Sequence, residues 1–200
     1  MVKEKEELIK KFILDHSEAL FIEKGYKDTS MDLISQKCSI SKPTLYNYFA
    51  SKYDLYMGLY VRFQNNLFAR VRDLLAKSQN KAGVMEDIVR ICFSLFSEKK
   101  EFLRMMIREH HLIIHENIDQ HLDLEVHQKQ EIIGYMVGYL QEMIDDEMKK
   151  TYDIRLVAAT LFYIIEGMLW DMVMGAETDM EKQIRFILLF MKNGLSAKEV

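Results

Sequence analysis

A single proline, Pro43, stands in this chain of 200 residues, alongside 8 glycines. Proline and glycine are the strongest interrupters of regular structure, and strand-rich domains use them at turn after turn. A chain with so few can run in long helices but has little with which to close hairpins. The expected class is therefore all-α. The proline itself sits where a helix tolerates it. Ser41, two residues earlier, has a hydroxyl suited to accept an orphan amide hydrogen at a helix start. In the first turn, the missing N–H of Pro43 costs nothing.

The surrounding stretch is the most informative in the chain. Residues 29–56, TSMDLISQKCSISKPTLYNYFASKYDLY, read as a helix, a tight turn, a short second helix and the start of a long third. Ser30 can cap the first helix, and Asp32 adds negative charge near its positive end. Met31, Leu33 and Ile34 supply apolar contacts, and Ser39-Ile40-Ser41 forms the turn. The helix over 42–48 then presents Lys42, Pro43, Thr44, Tyr46, Asn47 and Tyr48, while Leu45 and Phe49, four apart, anchor it. This is the build of an element whose second helix enters the major groove of DNA. Lys42 suits a phosphate or a guanine edge and Asn47 a base edge. Tyr46 and Tyr48 suit phosphates or a thymine methyl. Thr29, Ser30, Ser41 and Lys52 are candidates to hold phosphates at helix N-termini. The bland alternative is a helical hairpin with solvated polar tips.

The same residues, from Ile13 to Tyr56, resemble the N-terminal domain of TetR-family transcriptional regulators. The likeness runs through Leu20-Phe21, Gly25-Tyr26, Thr29-Ser30-Met31, Ile34, Ser41-Lys42, Thr44-Leu45-Tyr46, Tyr48-Phe49 and Ser51-Lys52. Two departures stand out: His16-Ser17 and Cys38-Ser39 replace the family's usual Ala-Ala and Ala-Gly. The second matters more, because a glycine there usually adopts a left-handed conformation, which costs a serine roughly 1 kcal/mol. The resemblance implies a three-helix DNA-binding domain over 1–52 and a helical ligand-binding and dimerisation domain over 53–200. It also implies a homodimer on a near-palindromic double-stranded DNA operator, most often as a repressor, and release by a small-molecule effector. No cofactor is implied.

A net charge of −4 does not oppose DNA binding, because its distribution matters more. Up to residue 52 there are 9 lysines against 8 acids, and between Gln36 and Lys52 there is no acid at all. A locally basic surface on an acidic body can hold phosphate while loose, sequence-independent binding is disfavoured. The 2 cysteines, Cys38 and Cys92, fall in no disulfide or zinc motif, which fits a reducing cytoplasm. The opening MVKEKEELIKKF is charged and helical rather than a signal sequence. The most apolar region, 156–173, is interrupted by Glu166 and Asp171, so no membrane span is expected.

Periodicity places helices at about 4–24, 31–38, 42–48, 52–77, 83–97, 99–114, 119–149 and 153–174, with a ninth carrying Ile184, Ile187, Leu188, Met191 and Leu195. Gly134 and Gly138 suggest close helix approach. His110, His111, His115, His121 and His127 form a candidate metal cluster. However, Leu112 follows His111, so no HExxH is present, and a solvated polar face is the simpler reading.

Met and aromatic residues outside the motif suit either a core or an adaptable apolar cavity. With the resemblance in view, Phe63, Phe93, Phe96, Phe102, Met105, Tyr135, Tyr139 and Trp170 are candidate effector contacts. Arg104, Arg108 and Glu166 are candidate orienting groups, with either arginine as the partner of Glu166. The helix over 153–174 is apolar almost all round and needs cover on both faces. Leu161, Met168, Ile184, Ile187, Leu188 and Met191 are the expected dimer seam. Two rivals stand against a regulator: a small-molecule carrier with a vestigial DNA-binding domain, and a helical enzyme, for which no triad, metal or cofactor constellation is visible.

Overall fold

A computed structural model describes residues 2–77, 81–144, 146–175 and 179–194. Its described elements are all helices: α1 (Val2–Asp28), α2 (Met31–Lys37), α3 (Lys42–Tyr48), α4 (Lys52–Lys77), α5 (Lys81–Glu98), α6 (Lys100–Met143), α7 (Asp146–Thr151), α8 (Ile154–Met174) and α9 (Met180–Gly194). They form two compact units, one of residues 1–69 with 99–116, the other of 70–98 with 117–200. The first unit thus runs beyond residue 52 along α4 and takes in the first part of α6.

In the first unit, Ile13, Phe21, Ile34, Leu45, Leu55 and Leu59 form the fully buried centre. Gly25 breaks α1 with φ 81 and ψ 168, and a Cβ there would lie 3.1 Å from Oε1 of Glu109. Only glycine meets both demands without strain. The break turns Tyr26 inward, where its ring lies 5.8 Å from Phe21 and 5.3 Å edge-on to Tyr56. Burial drives the Tyr56 phenol well above its ordinary pKa. A charged cluster joins three segments: Arg62 on α4 donates to Asp15 and Glu18 on α1, and Lys99 donates to Glu18 at 2.7 Å.

In the second unit, α5 packs against α8 and α9. The contact buries Val89 and Phe93 of α5, Ala158, Leu161, Leu169, Met172 and Val173 of α8, and Ile184 and Ile187 of α9. Asp153 caps α8, accepting from the amides of Arg155 and Leu156. Gly175 ends it in the left-handed region at φ 102. Arg90 forks between Glu86, one turn back on α5, and Glu181 at the start of α9. Among the described helices, α8 alone is long and apolar enough to cross a membrane by length and composition. Its inner face, however, packs into this unit, and Glu166 on it meets Lys129 of α6 at 3.4 Å.

Two expectations are corrected here. The separate helices at 99–114 and 119–149 are largely one helix, α6, followed by the short α7. Neither Gly nor Pro stands between Lys99 and Ile133 to stop it. Gly134 and Gly138 are exposed and have nothing within 4 Å of a built Cβ, so they serve no close approach among the described residues. The side chains of His110, His111, His115 and His121 lie outside the described residues, and His127 is exposed.

Candidate nucleic-acid interface

The helix-turn-helix is held by local chemistry at each joint. Ser30 caps α2 by accepting from the Leu33 amide at 3.2 Å. At its other end, Ser39 adopts φ 53, the left-handed conformation anticipated for a residue in the place of a glycine. Its amide donates to the Gln36 carbonyl, and the Ile40 amide donates to that of Ser35, both at 3.1 Å. These two bonds form a Schellman closure, which satisfies carbonyls that a helix end otherwise leaves open. Ser41 then caps α3, accepting from the Thr44 amide at 3.2 Å, with its hydroxyl 2.7 Å from that of Thr44.

On α3, Leu45 is fully buried and fixes the rotation of the helix. Lys42, Pro43, Tyr46 and Asn47 are exposed, in two rows spaced i, i+4 that share a face, with Thr44 and Tyr48 half-buried at its side. The face is compact and rich in hydrogen-bonding groups. Lys42 is not idle on it: its ammonium pairs with Oδ2 of Asp32 on α2 at 2.6 Å.

Two residues leave the expected contact set. Thr29 is fully buried, and its hydroxyl donates to the Gly25 carbonyl at 2.7 Å, so it fastens the end of α1 to the start of α2. The ammonium of Lys52 donates to the Tyr26 carbonyl at 2.7 Å and lies 4.2 Å over the Tyr26 ring. It neutralises the negative end of α1. Sequence reasoning missed both roles, and it missed Asp32 as the partner of Lys42. The one available signal was that Asp32 is the last acid before the acid-free stretch.

The candidate effector contacts divide between the units. Phe63, Phe102 and Met105 are core residues of the first, and Phe93, Phe96, Tyr139 and Trp170 belong to the second. There Phe96 meets the Trp170 ring edge-on at 5.6 Å, and Tyr139 reaches the Met85 backbone. Tyr135 is exposed, and Arg108 is exposed and paired with Glu109. Arg104 pairs with Glu101 on its own helix, and Glu166 takes Lys129 as its partner rather than either arginine. Tyr135 and Arg108 are thus corrected to surface positions, and Arg104 is half-buried.

Four of the six expected dimer residues are corrected too. Leu161, Ile184, Ile187 and Met191 are buried within the chain, and Met168 and Leu188 are half-buried. The apolar residues left outside are Leu156, Tyr163 and Met174 on α8 and Met180, Phe186, Leu189 and Phe190 on α9. The regular stripe of α9 is satisfied by α5, and a second apolar stripe lies beside it.

Comparisons with known proteins agree with the local geometry. The sequence profile described as bacterial regulatory proteins, tetR family, matches residues 13–57. The uncharacterized HTH-type transcriptional regulator YuxN of Bacillus subtilis is 29% identical over 119 residues, 60% of this chain. This chain spans only 40% of the length of that relative. A crystal structure described as a TetR-family transcriptional regulator from Syntrophomonas wolfei matches 100% of this chain and 99% of its own with TM-score 0.73 at 20% identity, a likeness of fold. The fatty acid degradation regulator FadR from Bacillus halodurans shares that fold with TM-score 0.71 at 16% identity, over 94% of this chain and 97% of its own. Residues 13–57 of the chain are thus similar to the N-terminal domain of the tetR family of bacterial regulatory proteins.

Proposed function

We propose that this protein is a ligand-responsive transcriptional regulator that binds a near-palindromic DNA operator as a homodimer. It represses until a lipophilic or aromatic small molecule releases it. The observation that carries the reading is the α3 face, where Lys42, Tyr46 and Asn47 stand exposed on a helix clamped by Leu45. One chain supplies one such helix, and a two-fold partner supplies the second. The apolar residues exposed on α8 and α9 suit that partner. The Phe96–Trp170 contact, with Phe93, Tyr139 and the Glu166–Lys129 pair in the same unit, suits the effector. A fatty acid regulator of the same fold supports a lipophilic ligand. An effector works here only by binding one conformation better than the other.

The experiment is a gel shift with DNA flanking the protein's own gene, run with wild type, Tyr46→Ala and Asn47→Ala. Each variant is expected to lose about 1–3 kcal/mol of operator affinity with little change in melting temperature. Unaltered affinity in both would remove α3 as the reader. No binding by wild type would leave the carrier reading. Trp170 is the only tryptophan in the chain, so quenching of its fluorescence by lipophilic compounds reads the effector cluster directly.

A further inference from the structure

Lys42 heads the recognition helix, yet its charge is already matched. Its ammonium lies 2.6 Å from the Asp32 carboxylate, and the two side chains remain 55% and 54% exposed. The pair bridges the first turn of α2 and the first residue of α3, the two helices of the DNA-binding motif. Binding to arbitrary DNA is driven by cations that neutralise phosphates and release counterions. A lysine that must first give up a carboxylate gains little from a loosely placed phosphate. It gains more from an acceptor held at the right distance and angle. An acid at this position is therefore costly for any DNA contact that does not compensate for it.

We propose that Asp32 is a specificity-determining residue, which holds the Lys42 ammonium across the α2–α3 junction and withholds it from the phosphates of arbitrary DNA. Only a duplex that offers Lys42 a well-placed acceptor recruits it. This rests on the DNA-binding reading above, and it assigns Asp32 a role beyond favouring the start of α2.

The test measures binding of the full-length protein to a labelled random-sequence duplex by fluorescence anisotropy across a salt series. Asp32→Asn frees Lys42 and is expected to tighten binding at low salt and steepen the salt dependence by about one phosphate contact. Between ~50 and ~200 mM salt, that is an extra loss of about 3–4-fold. Asp32→Glu should restore the wild-type slope. In the wild-type background, Lys42→Gln should leave the random-duplex slope nearly unchanged, a result that can be read even if the Asp32 variants fold poorly. The Asp32→Asn/Lys42→Gln double variant should lose the gain. An unchanged slope in Asp32→Asn overturns the inference, and so does a full one-contact drop in Lys42→Gln. An equal gain with and without Lys42 would reduce Asp32 to general repulsion and overturn it likewise. If no form binds the random duplex even at the lowest salt, the DNA-binding reading itself fails, and the inference with it.

Discussion

At the scale of single residues, two positions in the motif work against or for the backbone rather than touching a partner. Ser39 closes α2 in a conformation that its Cβ disfavours. Ser39→Gly should relieve that strain, offset in part by the greater freedom of glycine in the unfolded chain, for a net gain of about 0.5–1 kcal/mol. Urea denaturation measures it, and a loss of stability would mean that the serine is not strained there. Thr29 is the opposite case. Thr29→Val keeps the shape but removes the donor to the Gly25 carbonyl. Leaving a buried acceptor unpaired should cost about 1–3 kcal/mol. Well below its melting temperature, the variant should bind DNA like wild type, because the Thr29 hydroxyl faces inward. A selective loss of affinity in a stable protein would contradict that placement.

At the scale of elements, α9 is tethered to α5 by burial and by one charged fork. Ile184 and Ile187 supply the burial, and Arg90 supplies the fork to Glu86 and Glu181. The hydrogen bond from Arg90 holds the Glu181 carboxyl below its ordinary value of 4.5. A carboxyl lowered on folding contributes stability above its unfolded pKa and loses it as pH falls through the folded value. The melting-temperature gap between wild type and Arg90→Gln should therefore be widest near neutrality and close in acid below 4.5. Because the groups are well exposed, added salt should narrow it as well. Thermal melts over pH and salt check both trends. A gap that stays constant would show that Arg90 acts through packing instead.

At the scale of the whole molecule, the dimer reading turns on which apolar stripe of α9 is free. Phe190 is 47% exposed and its neighbour Met191 is 9% exposed. Phe190→Glu should leave the protomer folded but shift the mass seen by light scattering toward monomer, and weaken operator binding in parallel. Met191→Glu should instead unfold the second unit, since an uncompensated buried charge costs about 3–5 kcal/mol. If Phe190→Glu remains a dimer while staying folded, the partner does not sit on this stripe of α9.

What the sequence determined by itself was local. The scarcity of Gly and Pro made the chain helical, and Ser30, Ser41 and Asp153 set helix starts through bonds to amides two or three residues away. The strained Ser39 turn was legible for the same reason: a Schellman closure involves only nearby residues. The exposed face of α3 was legible because the periodicity of a short helix needs no partner to express it. Tertiary structure decided everything that depends on distant residues. Lys52 lies 26 positions from Tyr26, and Lys99 lies 81 from Glu18, so no spacing rule pairs them. Thr29 resembled a surface cap until the packing of α1 against α2 enclosed it. The second apolar face posed the same problem at larger scale. Periodicity shows that α9 carries hydrophobic residues on more than one side. Only the placement of α5 selects Ile187 and Met191 for the chain's own core and leaves Phe186, Leu189 and Phe190 outside, because an apolar side chain is stabilised by whichever surface reaches it.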